Sequence, residues 1–364
     1  MNTLGIYIHV PFCAKKCSYC DFYSVCYTKK QAEYYCNAVL RNIRHYADKS
    51  TLVDTVYFGG GTPTLLIPEQ ISGFITEIRN YFNLAENAEI TIEANPNTLK
   101  SERLLKLREA GINRISIGVQ SMNNDELKFL GRTHTAERAK KAVLDAKTAG
   151  FSNISCDLMI ALPNQSADSL TNSINILTEL PIQHISAYIL KIEENTPFNC
   201  PEIMNIMPDD DKTADLYLTM VELLKQKGFA QYEVSNFAKS GFESRHNCRY
   251  WKCLDYLGIG SSAHSCYKGK RFAVKSDLQA FINSPVQPVE ITDNSPCGFE
   301  EFAMLRLRLA EGLNLSEVES HRSDLVKKIT PLVKAGYIKY NGENISLTEK
   351  GFLMSNSVIE YLIF

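Results

Sequence analysis

The sequence predicts an α/β fold: a partial (β/α)6 TIM-like barrel, followed by a C-terminal α+β region with a winged-helix-like unit. Three observations predict it. Six short runs rich in Ile, Val, Tyr and Phe alternate with helix-like segments through the first half of the chain. Several of these runs are apolar on both faces, as strands of a covered parallel sheet must be. After residue 200 the alternation gives way to a different pattern. Alternating strand and helix with short connections argues for right-handed βα units, with an open doubly wound sheet as the alternative.

The β-like runs are Leu4–Val10, Asp54–Phe58, Glu89–Glu93, Asn113–Val119, Asn153–Ile160 and Gln183–Leu190. Between them lie helix-like segments at Lys29–Tyr46, Pro68–Tyr81, Lys100–Ala110, Ala136–Ala149 and Ser166–Leu180. Ala110-Gly111 and Ala149-Gly150 read as helical stops, because glycine takes the left-handed cap conformation without penalty. Asp209–Lys227 reads as a helix whose acidic start suits the helix dipole. Glu300–Ala310, Asp324–Ala335, Tyr337–Tyr340, Ile345–Leu347 and Glu349–Tyr361 follow; the last four read as helix, strand, strand, helix, with a hairpin turn at Asn341-Gly342. A winged helix invites a DNA-binding reading, but Glu343, Glu349 and Glu360 stand beside its lysines, which favours docking or a lid. Asn283–Pro296 holds three prolines and reads as a linker. The expected division is a barrel over 1–200, an extension over 201–285 and a C-terminal unit over 297–364.

Composition excludes several classes. The 364 residues are 45% hydrophobic and 22% charged, ordinary for a globular chain. A net charge of −2 supplies no basic field for nucleic acid. No leading basic cluster followed by an apolar segment marks a signal peptide, and no apolar run is long enough to span a membrane. Eleven cysteines in such a chain argue for a reducing, cytoplasmic setting rather than a disulfide scaffold. Those outside the first motif read as isolated, buried hydrophobes.

The chemistry concentrates in Cys13-Ala-Lys-Lys-Cys17-Ser-Tyr-Cys20, directly after the first run. Thiolates are soft ligands, suited to iron–sulfur clusters and to zinc. Three on one loop can hold three corners of a cubane and leave the fourth iron open. A zinc site would need a fourth ligand, which His9 or Cys26 could provide. The spacing favours the cluster and leaves zinc open. Further unusual residues fall at carboxyl ends of successive runs: Gly59-Gly60-Gly61-Thr62 after the second, Glu93 at the third, Gln120 at the fourth, Asp157 on the fifth. In a βα barrel that is the face where sites form. The glycine triplet allows close backbone approach and lacks the Lys-Ser/Thr ending of a phosphate-binding P-loop.

These motifs together resemble the radical S-adenosylmethionine (SAM) superfamily. Tyr7-Ile-His9-Val-Pro11-Phe-Cys13 and Tyr19-Cys20-Asp21-Phe22 are similar to the branch holding oxygen-independent coproporphyrinogen III oxidase and the HemW haem chaperones. The likeness continues through Gly59-Gly-Gly-Thr-Pro-Thr64, Glu93-Ala-Asn-Pro96, Ile117-Gly-Val-Gln-Ser121, Leu130-Gly-Arg-Thr-His134 and Asp157-Leu-Met-Ile-Ala-Leu-Pro163. The resemblance implies that Cys13, Cys17 and Cys20 hold a [4Fe–4S] cluster. It further implies that Tyr7, Tyr19, Gly60, Gly61, Thr62, Glu93, Gln120, Arg132 and Asp157 contact SAM or pack near the cluster. It implies an electron donor of flavodoxin or ferredoxin type.

Two departures separate the chain from the oxidase pattern. Phe22 stands where the oxidase carries a further cysteine, and only twelve residues precede Cys13. His246-Asn-Cys-Arg-Tyr-Trp251 resembles the His-Asn-x-x-Tyr-Trp signature of the HemW family. On that resemblance the expected function is haem binding and transfer to an acceptor protein, such as a respiratory membrane enzyme, with no nucleic acid involved. His246 is then the candidate haem contact, against a structural role; His264 is a second candidate. A porphyrin-modifying oxidase is the alternative function.

Overall fold

A computed structural model describes residues 3–364. Its centre is six parallel strands: β1 (Thr3–Val10), β2 (Asp48–Gly60), β3 (Phe82–Ala94), β4 (Arg114–Gln120), β5 (Asn153–Ile160) and β6 (His184–Ile189), paired in chain order. Helices α1 (Lys29–His45), α2 (Pro68–Tyr81), α3 (Ser101–Glu109), α4 (Ala136–Thr148) and α5 (Ala167–Glu179) connect them. Every residue of β4 except Gln120 is buried, as a strand covered on both faces must be. Side-chain caps start three of these helices: Thr28, Thr135 and Ser166 accept from backbone amides of the first turn. Gly111 and Gly150 take φ of +105° and +91° just past their helices, where the sequence places stops.

β2 and β3 are longer than their apolar runs. Polar Lys49, Ser50 and Thr51 belong to β2, which pairs with the start of β3, and no apolar alternation announces that extension. A short helix, Asn124–Phe129, also falls where no element was expected.

The barrel does not close. β1 pairs on its outer side with β9 (Tyr256–Ile259), and β6 pairs with β8 (Asn236–Ala238), which pairs with β7 (Ala230–Gln231). Antiparallel β10 (His264–Tyr267), β11 (Lys270–Val274) and β12 (Val289–Asp293) extend the sheet beyond β9 to twelve strands. The segment after residue 200 therefore feeds both edges of one sheet. β12 also corrects the linker expectation for Asn283–Pro296. The prolines Pro285, Pro288 and Pro296 flank the strand rather than interrupt it, and at an edge a missing donor is harmless.

Helix α6 (Asp210–Gln226) starts on an Asp209 cap and packs against α5. Helix α7 (Arg245–Trp251) carries the His246–Trp251 motif. The C-terminal unit contains α8 (Phe299–Leu307), α9 (Arg322–Lys334) and three antiparallel strands, β13 (Leu313–Asn314), β14 (Ile338–Tyr340) and β15 (Asn344–Leu347). The β14–β15 hairpin turns at Asn341-Gly342, with φ +97° at Gly342. The expected single helix Glu349–Tyr361 is two, Glu349–Leu353 and Ser355–Ile363, breaking at Met354. Among the described residues no helix is long and apolar enough to cross a membrane.

Candidate functional site

The site is built at the carboxyl ends of β1 to β6. The cysteine loop leaves β1 and returns through a two-residue parallel pairing of Phe12–Cys13 with Val25–Cys26. The Cys20 amide donates to the Cys17 carbonyl (3.2 Å), so the second and third cysteines share one turn. All three thiols are free and partly exposed. Burial raises the Cys20 thiol above its ordinary range, and the Cys17 and Cys13 sulfurs add to the rise.

The glycine loop after β2 packs directly on the root of the cysteine loop. The Gly61 amide donates to Val10 O (2.8 Å) and the Thr62 amide to Phe12 O (2.7 Å). A Cβ at Gly61 would stand 2.6 Å from Phe12 O, and one at Gly60, where φ is +107°, 2.7 Å from the His9 ring. Only glycine lets these two loops meet. Thr62 Oγ1 comes to 3.9 Å of Cys13 Sγ.

Glu93, at the end of β3, accepts from Tyr57 Oη (2.8 Å) and the Gly60 amide (3.2 Å). It forms no ion pair with an arginine, among the described residues. Burial, with Asp157 adding repulsion, pushes its carboxyl up to about 7. Asp157 is also raised by burial, against hydrogen bonds from Ser116 (3.1 Å) and Ser186. Gln120 ends β4 in a left-handed conformation (φ +71°), at an irregularity in the β4–β5 pairing.

Arg132 joins the two sets of residues. Its Nη2 donates to Gly118 O (2.7 Å), its Nη1 lies 3.5 Å from Cys17 Sγ, and it also meets Tyr19. Its Nε is buried without a partner.

Tyr19, Cys20, Gly60, Gly61, Thr62, Glu93, Gln120, Arg132 and Asp157 line one cavity of about 510 Å3. Cys13 and Cys17 stand beside it; Tyr7 and His246 do not line it. Tyr7 instead bonds His9 Nδ1 (3.1 Å), and His9 Nε2 bonds Tyr23 O (3.1 Å). Both His9 nitrogens are thus engaged, which removes it as a free zinc ligand. Among the described residues no three Cys, His, Asp or Glu groups close around a single ion. The donor set fits a cluster gripped from one side: three thiols on one loop, a cation against one of them, and an open cavity on the other flank.

His246 lies beneath the cavity, which its neighbour Asn247 lines. Helix α7 plugs the opposite end of the barrel, its first amides at Arg245 and His246 held by the Glu89 carboxylate (3.1 and 3.0 Å). Arg249 pairs with Asp54 and reaches Thr3 beneath β1 and β2. The His246 side chain is 0% exposed. Nδ1 bonds Thr55 Oγ1 (2.9 Å), Nε2 bonds Tyr250 Oη (3.0 Å), and the ring stacks on Tyr57 at 5.1 Å. Burial, with Arg249 and Arg114 adding, pushes the imidazole down to about 3. Through Tyr57, whose hydroxyl holds Glu93, the plug braces the cavity from below. His264 is exposed on β10, away from the cavity.

Sequence reasoning missed several lining residues. Arg114 is the main one: 2% exposed on β4, on the cavity wall, with its Nε buried without a partner. A charge opening a largely apolar strand was the available signal. Tyr57, Tyr188, Ser116 and Ser186 also line it.

Residues 7–177 match the Radical SAM superfamily model and residues 299–354 the HemN C-terminal domain. Among curated proteins it is 35% identical to a heme chaperone HemW of Haemophilus influenzae, covering 100% of this chain and 98% of that one. It is 34% identical to the Escherichia coli protein of that name (100% and 99%) and 33% to that of Lactococcus lactis (97% and 96%). The solved structure of coproporphyrinogen III oxidase (HemN) from Escherichia coli superposes with a TM-score of 0.83 at 23% identity, covering 100% of this chain and 90% of that one, a likeness of fold.

Proposed function

The chain belongs to the heme chaperone HemW family within the radical SAM superfamily, and on that premise we propose that it binds haem together with a [4Fe–4S] cluster and SAM and hands the haem to an acceptor protein. The observation that carries this reading is the convergence of the cysteine loop, Glu93, Arg132 and Asp157 on one cavity in a chain that matches HemW proteins end to end.

Cys13, Cys17 and Cys20 would hold the cluster, with the Arg132 guanidinium 3.5 Å from the Cys17 sulfur. Once bound, cluster and SAM supply one-electron chemistry. The chain's own work is positioning. The amides of Gly60, Gly61 and Thr62 are already committed to Glu93, Val10 and Phe12. A ligand amine therefore meets this loop through acceptor oxygens. Glu93, with its carboxyl near neutrality when the cavity is empty, loses its proton as an ammonium arrives. Asp157 and Gln120 offer acceptors and a donor for hydroxyls. Arg132 answers a carboxylate, which its planar fork suits. Tyr19 covers the cluster side, and Tyr7 acts through His9.

We assign His246 first to the brace beneath the cavity. Ligation of haem iron at its Nε2 requires Tyr250 to let go. The acceptor fits a respiratory membrane enzyme, the electron donor a flavodoxin or ferredoxin, and the setting the cytoplasm.

Anaerobic purification with iron, sulfide and zinc analysis tests the cluster; iron and sulfide in equal amounts is the expected result, and zinc in their place contradicts it. A coproporphyrinogen assay with reductant and SAM tests the chaperone reading; formation of protoporphyrinogen contradicts it.

A further inference from the structure

The cysteine loop carries charges that the cavity does not use. Ala14, Lys15 and Lys16, between the first two cysteines, are exposed, and so are Asp21 and Phe22 just past the third. The thiols of Cys13, Cys17 and Cys20 are themselves partly exposed. A second pair of lysines sits alongside. Parallel pairing of Phe12–Cys13 with Val25–Cys26, and the Tyr27 amide on the Cys13 carbonyl (3.1 Å), lay two segments side by side. Both leave that pairing in the same direction, one into Lys15-Lys16 and the other into exposed Lys29-Lys30 at the start of α1.

From Cys13 to Lys30 there are four lysines and one carboxylate, Asp21, in a chain whose net charge is −2. The local fold does not call for these cations. The first turn of α1 has no acidic residue, and Lys29 and Lys30 stand at the positive end of the helix dipole, where a cation is disfavoured. Lys15 and Lys16 lie on a stretch with no helix or strand to stabilise. Phe22 is 69% exposed at the cavity lip, so a large apolar ring stands in water on the same loop. An aromatic ring within a polar rim is the composition of a protein–protein contact.

We propose that this face, with Lys15, Lys16, Lys29 and Lys30 around Phe22, is the docking site of an acidic electron-carrier protein. The inference rests on the cluster reading above and names the partner of that site. Four exposed cations commit the face to a partner of opposite charge. Electron-transfer encounters are small and transient, and a face made of one loop and one helical turn suffices for them. The cavity is lined by none of the four lysines, so the carrier meets the cysteine loop from outside it. The step is the passage of one electron. The carrier is oxidised by one electron, the cluster at Cys13, Cys17 and Cys20 is reduced by one, and no covalent bond forms or breaks. The lysines act on the encounter and so govern its rate and its salt dependence.

The test uses the anaerobic holoprotein and an acidic flavodoxin. Stopped-flow mixing with reduced flavodoxin measures cluster reduction, and calorimetry with oxidised flavodoxin measures binding. Lys15→Glu/Lys16→Glu and Lys29→Glu/Lys30→Glu should each slow reduction about tenfold or more at low salt and weaken binding by a similar factor. Raising salt from about 50 to about 500 mM should bring the wild type toward the variants. The second pair lies outside the cluster loop and keeps the proposal falsifiable if the first disturbs cluster loading. Photoreduction by deazaflavin, a small neutral donor, should reduce wild type and both variants equally. Reduction and binding that neither pair of substitutions nor salt changes would overturn the proposal, as would lysine-dependent binding to phosphatidylglycerol vesicles in place of flavodoxin. A wild type that deazaflavin cannot reduce would overturn the cluster instead; the calorimetry, which needs no electron, still decides the docking face.

Discussion

The two ends of the barrel differ in how their polar groups are satisfied. At the floor, His246 has a partner for each ring nitrogen and an aromatic ring against its face, and Glu89 accepts two helix amides. At the mouth, Arg132 Nε is buried without a partner, Glu93 is raised to about 7, and three thiols stand partly exposed. Buried polar groups cost free energy unless paired. The groups at the mouth face an open cavity that a ligand can fill, whereas the His246 ring is paired within the fold, which supports the proposal of binding at the mouth.

The largest expected effect separates the two ends outright. Cys17→Ala at the mouth should abolish cluster iron and SAM binding while changing the stability of the cluster-free protein by about 1 kcal/mol or less, since the thiol is partly exposed. Iron analysis beside urea unfolding checks it.

His246→Ala at the floor should do the reverse. It removes a buried ring and leaves Thr55 and Tyr250 without their partner, a loss of about 3 kcal/mol. Folded protein should still take up cluster iron. The wild-type imidazole stays neutral in the fold down to about pH 3, whereas the unfolded chain protonates near 6.5. Its contribution to stability is thus full above about 6.5 and is lost as pH falls from there toward 3. The difference between wild type and variant should shrink across that window.

Glu93→Gln is a smaller change at the mouth. Loss of a charged acceptor should weaken SAM binding about ten- to hundredfold, measured by calorimetry on the anaerobic protein. In the empty protein the sign reverses. A carboxyl raised to about 7 holds its proton in the fold where the unfolded chain has released it, so stability falls as pH rises from about 4.5 through 7. Glu233, raised likewise, gives a similar background. The variant should therefore gain on wild type as pH rises toward 8. The smallest effect belongs to Phe22→Ala, 69% exposed on the cavity lip, which should change stability by about 0.5 kcal/mol or less.

Much of the mouth was legible because its residues sit at ends of apolar runs. β5 spans Asn153–Ile160 as the run does, and strand ends are where a βα barrel gathers its chemistry. The floor was not legible. His246 beside an aromatic pair looks the same in sequence whether it ligates or braces; the partners that decide, Thr55 and Tyr57, are nearly two hundred residues away. Arg114 escaped for a similar reason, since a charge before an apolar run resembles a surface residue until the strand is buried on both faces.

Haem transfer tests the account most directly. The anaerobic protein, loaded with cluster, SAM and haem and freed of excess haem, is mixed with apomyoglobin, and the Soret band is followed. The account predicts that the protein retains haem and that the band then moves to that of the holo-acceptor. Failure to retain haem, together with decarboxylation of coproporphyrinogen by the same preparation, would contradict it.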